Sequence, residues 1–256
     1  MWYNRCGDKM ENIKIYQNGM NYQVSILYED NHIIVCNKPA GILSQGDSTG
    51  DANMVDILKE HLKNKYQKPG NVYLGLVHRL DRMTEGVMVF GKTSKASSRL
   101  STMFSQKNVE IIKKYLVIVK GLFPNNYDKK LSHYVEKDEK LVKSFVTTNK
   151  NGKLADLEFN VMDHENGNSL IEVNLLTGRH HQIRVQFSHI GHPVLCDSLY
   201  GDLTKGNLCL CAYYLSFIHP VNKKRYEFKV KPTNDNFKLF SLQKIDFSSI
   251  IYNDKN

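Results

Sequence analysis

His78, Arg79 and Asp81 crowd the end of an apolar run, VYLGLVHRL, and spill into the loop DRMTEG, which closes at Gly86. A loop at the end of a strand is where a scaffold presents reactive groups. An ionised, positioned carboxylate there can attack an anomeric carbon or take a proton from a sugar. The bland alternative for Asp81 is a turn residue whose side chain caps backbone N–H groups. Arg184, flanked by Ile183 and Val185 in TGRHHQIRVQFSHIG, sits at the margin of an apolar stripe. A guanidinium there needs an anion or is very costly. Asp81 is the candidate partner, matched to it in fork geometry, and pairing would hold the carboxylate ionised at neutral pH. Tyr115, among β-branched residues in KKYLVIVKG, reads by itself as a core or edge aromatic. His180, His181, His189 and His192 are dense enough to raise a metal, but their spacing is not that of a zinc helix.

The elements that must position these groups are mostly strands. SILYED and HIIVCNK flank a turn at Asp30 and Asn31 and predict a hairpin, ended by Pro39-Ala40-Gly41. Residues 53–64 predict a helix capped by Asn53, with Met54, Ile57, Leu58 and Leu62 on one face. VYLGLVHRL and VMVFGK predict strands, and Ser94 predicts the cap of a helix running to about Gln106. Further strands are expected in KKYLVIVKG, KSFVTTNK, ADLEFNVM, SLIEVNLL, LCLCAYYLSFI and KRYEFKVK. TGRHHQIRVQFSHIG predicts a loop into a helix, and a short helix is expected near 235–241. Strands dominate without regular helical crossovers, so the expected fold is α+β on a largely antiparallel sheet.

The 256 residues carry 35 Lys and Arg against 26 Asp and Glu, a formal charge of +9. Such a balance favours a polyanionic partner, because each neutralised phosphate releases counterions. The cysteines Cys6, Cys36, Cys196, Cys209 and Cys211 are odd in number and irregular in spacing, which argues against a disulfide framework and for a reducing, cytoplasmic setting. Cys209 and Cys211 share one face of a strand and read as small buried residues rather than a metal pair. The polar N-terminus is not a signal peptide, and no stretch is long and apolar enough to span a bilayer.

HRLD followed by T-x-G, then KKYLVIVKG, then TGRHHQIR with HIGHPVLCDSLYG, resembles the RluA-type pseudouridine synthases, as does the opening ILYEDNHIIVCNKPAGILSQ. The likeness covers about residues 24–232. It implies a pseudouridine-synthase-like fold with an active-site cleft across the sheet. It implies that Asp81 is the catalyst, Tyr115 the aromatic that stacks on the uracil, and Arg184 the partner of the aspartate. Arg79 corresponds to the arginine that helps to hold the target nucleotide out of its stack. His78, Ile183, Arg179 and Thr84 are implied substrate contacts. The reaction needs no cofactor or metal. The glycosidic bond breaks, the base turns, and its carbon 5 bonds to the ribose, through either a covalent adduct or a glycal.

Three departures stand out. Glu85 replaces a small residue and is expected to add negative charge close to the RNA. Gln186 replaces a common histidine, and Cys196 a common glycine, both expected to alter packing. The expected organisation is a polar extension over 1–23, one catalytic domain over 24–245 and a tail over 246–256. That leaves no room for a separate N-terminal RNA-binding domain. The expected partner is ribosomal or transfer RNA, with no membrane and a monomer by default. Two rivals are an RNA-binding protein that has lost catalysis and a hydrolase that releases free uracil.

Overall fold

The computed structural model describes residues 11–105, 111–123, 129–149, 151–243, 245–248 and 250–251. The chain divides into two compact units. The first holds the described residues of Met1–Ile111, Tyr214–Val230 and Ser248–Asn256; the second holds those of Ile112–Tyr213 and Lys231–Phe247. Residue 24, the expected start of the catalytic domain, lies within a strand, Met20–Glu29. The class is α+β, with a mostly antiparallel sheet.

In the first unit β1 (Glu11–Gln17), β2 (Met20–Glu29) and β3 (Ile33–Lys38) form an antiparallel meander. The β2–β3 turn is fixed by Asp30, whose carboxylate accepts from the backbone N–H of His32 and Ile33 at 2.8 Å each. β3 opens with Ile33, Ile34, Val35 and Cys36, all fully buried, the continuous apolar run of a strand covered on both faces. After it Gly41 takes φ +94°, and a side chain there would meet the Tyr22 ring at 2.8 Å. Helix α1 (Met54–Lys65) starts where expected: the Asn53 side chain accepts from Asp56 N–H at 3.1 Å.

VYLGLVHRL is not a strand through its length. Only β4 (Gly75–Leu76) is, paired to β5 (Glu85–Gly91). Beyond it, side chains take the place of a ladder. Ser44 Oγ donates to Leu80 C=O at 2.7 Å and accepts from Leu80 N–H at 3.0 Å. Buried backbone groups must find partners, and these partners hold the segment extended without a neighbouring strand. Helix α2 (Ser94–Ser105) is capped by Thr93, not Ser94, since the Thr93 hydroxyl accepts from Ala96 N–H at 3.2 Å. Gln106, its expected end, lies outside the described residues.

In the second unit β6 (Ile112–Lys120), β7 (Lys130–Asp138), β8 (Lys143–Thr147), β9 (Lys153–Glu165) and β10 (Asn168–Leu175) run in the order β6-β10-β9-β7-β8, all antiparallel. Helix α3 (Gln182–His189) buries Ile183 and Phe187. Phe187 meets Phe159 and Phe123 edge to face at centroid distances of 5.4 and 6.0 Å. β11 (Leu210–Ile218) carries the chain from the second unit to the first, where β12 (Arg225–Lys229) and β13 (Ile250–Ile251) follow. The short helix expected near 235–241 is a 3-10 turn over Asp235–Leu239.

Candidate active site

In the first unit Asp81 ends the extended segment and opens a turn closed by its backbone carbonyl, which accepts from Thr84 N–H at 3.0 Å. The segment is held from beneath by Lys38. This lysine is fully buried at the end of β3. Its Nζ donates to the carbonyls of Pro39 (2.9 Å), Ile42 (2.6 Å) and Arg82 (2.9 Å). Burial pushes its ammonium down to about 7, against the pull of Asp81 and then of Cys36 and Glu85. Three acceptors use all three N–H groups, which only the charged form carries. Arg82 adds a second clamp: its Nε donates to Gly41 C=O at 3.0 Å and its Nη2 meets Asp51 at 2.7 Å. The turn after β3 and the residue after Asp81 are thus fastened together.

The other predicted residues of this segment are placed differently from one another. Arg79 is exposed. The His78 ring accepts from Val89 N–H through Nε2 at 3.1 Å and stacks on Phe104 at 4.4 Å between centroids. Its Nε2 lone pair is therefore used by the scaffold. Thr84 is buried, and its hydroxyl has no hydrogen-bond partner among the described residues. Glu85, expected to face RNA, is only 4% exposed and opens β5 beside Gly86, which is in register with Lys38. An inward-facing carboxylate in reach of a buried ammonium is counter-charge, so that expectation is corrected.

In the second unit Tyr115 lies buried in β6, opposite Val173 of β10. Arg184 is buried on α3 and forks onto Asp197: Nε to Oδ2 at 2.7 Å and Nη2 to Oδ1 at 2.8 Å. Its guanidinium carbon stands 5.0 Å from the centre of the Tyr200 ring. Tyr200 is fixed in turn, accepting from Ser144 N–H at 2.7 Å and bonding His181 Nδ1 at 3.0 Å. Burial, then the charges of Arg184 and His180, pushes His181 down to about 3, so its ring is neutral at working pH. Ile183 is buried beside Arg184. Arg179, in the loop before α3, donates from Nε to Leu154 C=O at 2.9 Å.

A family model described as RNA pseudouridylate synthase matches residues 32–189. A ribosomal large subunit pseudouridine synthase C from Buchnera aphidicola subsp. Schizaphis graminum is 34% identical over 226 residues, 84% of this chain and 69% of that one. The chain belongs to the RNA pseudouridylate synthase family. It is an RNA isomerase. A ribosomal large subunit pseudouridine synthase D from Zymomonas mobilis is 31% identical over 86% of this chain and 72% of its own. The solved structure of Human RNA Pseudouridylate Synthase Domain Containing 4 shares the fold, with a TM-score of 0.66 at 22% identity over 81% of this chain and 88% of that one.

Three residues of this synthase went unnoticed in the sequence. Lys38 carried a signal, a charge closing a strand that opens as the apolar run of residues 33–36. Asp197 carried none by local spacing, being 13 residues beyond Arg184 in a separate turn. Lys113 lies two residues before Tyr115 and reads locally as one of a pair of surface lysines. The departures from the family also find places. Gln186 is buried and donates to Ala155 C=O at 3.0 Å. Cys196 holds φ +63°, the left-handed region where glycine is at ease.

Three groups able to ligate a metal, Glu11, Glu29 and His61, lie within 4.8 Å of one another. The Lys65 ammonium already bridges the two carboxylates, at 2.8 and 2.9 Å. No described helix is long and apolar enough to cross a membrane.

Proposed function

We propose that this synthase converts uridine to pseudouridine in large-subunit ribosomal RNA, with Asp81 as the catalytic group. Tyr115 stacks on the extruded uracil, and Arg184 is the positively charged partner of the aspartate. Arg79 holds the target nucleotide out of its stack, with His78, Ile183, Arg179 and Thr84 lining the substrate. The carboxylate breaks the glycosidic bond by attack at the anomeric carbon or by removing the 2′ proton. The detached base turns, and carbon 5 joins the ribose. No cofactor enters. Extrusion of the base costs a few kcal/mol, offset by stacking and backbone contacts.

The observation that carries this reading is the match over residues 32–189, one stretch holding Asp81, Tyr115 and Arg184. The choice of ribosomal over transfer RNA rests on the names of the relatives. The same reading has one catalytic domain over 24–245 acting as a monomer in the cytoplasm.

The test is pseudouridine mapping of ribosomal and transfer RNA from cells with and without this gene, and from cells carrying only Asp81→Asn. One or more large-subunit uridines are expected to lose the modification in both altered strains. Purified Asp81→Asn should turn over at least about a thousandfold more slowly than the parent. Wild-type modification by Asp81→Asn would sink the mechanism. Loss at transfer RNA positions alone would move the substrate, and release of free uracil would make the protein a hydrolase.

A further inference from the structure

Successive strand residues point to opposite faces, so Lys113 and Tyr115 share a face of β6 while Lys114 takes the other. The two lysines meet different fates. Lys114 pairs with Glu172 at 3.1 Å. Lys113 is partly buried and has no hydrogen bond or ion pair among the described residues. The charged group that acts on it, Arg179, is of the same sign. Burial, then the Arg179 guanidinium, holds the Lys113 ammonium below its usual range. Its Nζ lies 3.8 Å from where a side chain on Gly178 would begin, at the foot of the loop that carries Arg179. Arg179 is anchored by its Nε alone, and its two terminal nitrogens have no partner among the described residues. The nearby acids are committed elsewhere: Asp156 accepts from Ser132 at 2.7 Å and Glu172 bonds Lys114 and Tyr213.

Two cations drawn together without an anion cost folding energy and gain nothing until an anion arrives. We propose that Lys113 and Arg179 form a seat for one phosphate of the RNA backbone, next to the nucleotide whose base stacks on Tyr115. The inference rests on the proposed role of Tyr115 and adds a binding residue, Lys113, and its ligand class. Two residues along a strand span about 6.7 Å, so the seat and the stacking ring are separated on the scale of a nucleotide. Arg179 supplies a planar fork and Lys113 a point charge, a combination suited to a phosphate.

The probe is an in-vitro transcript of large-subunit ribosomal RNA bound to Asp81→Asn protein, so that no turnover occurs, over a range of salt. Adding Lys113→Met is expected to weaken binding about tenfold. The slope of log affinity against log salt should fall by about one. Lys113→Arg should restore both. With Asp81 intact, Lys113→Met should raise KM and leave kcat within about twofold. Melting of free Lys113→Met protein adds a readout that a structural lysine would move the other way: Tm should rise by about 2–4 °C. Unchanged affinity and slope in folded Lys113→Met would overturn the seat, as would a lowered Tm with unchanged slope. Should Lys113→Met fail to fold, Arg179→Gln decides by the same slope. Failure of the function reading shows separately, as pseudouridine formation unaffected by Asp81→Asn, while the binding slopes still judge the seat.

Discussion

Lys38 and Lys113 are both withdrawn from water at the edge of a candidate catalytic segment, one in each unit. Their surroundings differ. Lys38 meets three carbonyls and feels Asp81 and Glu85; Lys113 feels a second cation, Arg179. The first has been made part of the scaffold. The second is an expense with no return inside the free protein. A desolvated charge that is fully bonded holds a backbone in place, whereas one left unmatched marks where a ligand of opposite sign belongs.

The comparison breaks most easily at Lys38. Lys38→Met leaves three carbonyls without their donor and should cost about 3–5 kcal/mol in urea unfolding at pH 7. Lys113→Met should cost nothing. Equal losses in the two variants would erase the distinction. Next in size is Asp197→Asn, which keeps the shape beneath Arg184 but removes its counter-charge. A loss of about 2–3 kcal/mol is expected. It would place Arg184 with Lys38 among the bonded cations, and the same melts would measure it.

A smaller effect belongs to pH. Burial pushes Asp30 up, but the His219 hydrogen bond and the backbone N–H groups of Ile33 and His32 outweigh it and hold the carboxyl at about 2. A carboxyl held below its unfolded value stabilises at higher pH and loses that contribution as pH falls from about 4 towards 2. With some of the side chain open to solvent, the contribution is about 1–2 kcal/mol. Asp30→Asn should therefore narrow the stability gap between pH 6 and pH 3 by about half that amount in thermal melts. Smallest of all is Cys196→Gly. It relieves a left-handed backbone but loses a buried thiol and loosens the unfolded chain, so a change within about 1 kcal/mol is expected.

Much of this was legible in the sequence. The apolar runs of β3, β6 and β10 stood out because both faces are covered, and α1 was legible from its stripe and its Asn53 cap. β7 was missed because LSHYVEKD buries only Leu131 and Val135 fully. Residues 11–23, β1 and the start of β2, were taken for a polar extension because none of them is fully buried, whereas SILYED was read as a strand. Residues 77–80 look like a strand, but their partners are side chains, and pattern alone does not distinguish a serine from a neighbouring strand. Of the candidate site, the residue types of Asp81 and Arg184 were visible in short motifs. Their supports were not, because Lys38 reaches Arg82 across 44 positions and Arg184 reaches Asp197 across 13.

The fork between Arg184 and Asp197 has a use at the bench. Its Nε–H is buried and tied to a carboxylate at 2.7 Å, so its proton is shielded from exchange with water. Most arginine side-chain protons in solution are broadened away at neutral pH. This one should give a sharp, isolated line in a nitrogen-edited NMR spectrum. It is a resident reporter that would register RNA arriving without any label on the nucleic acid.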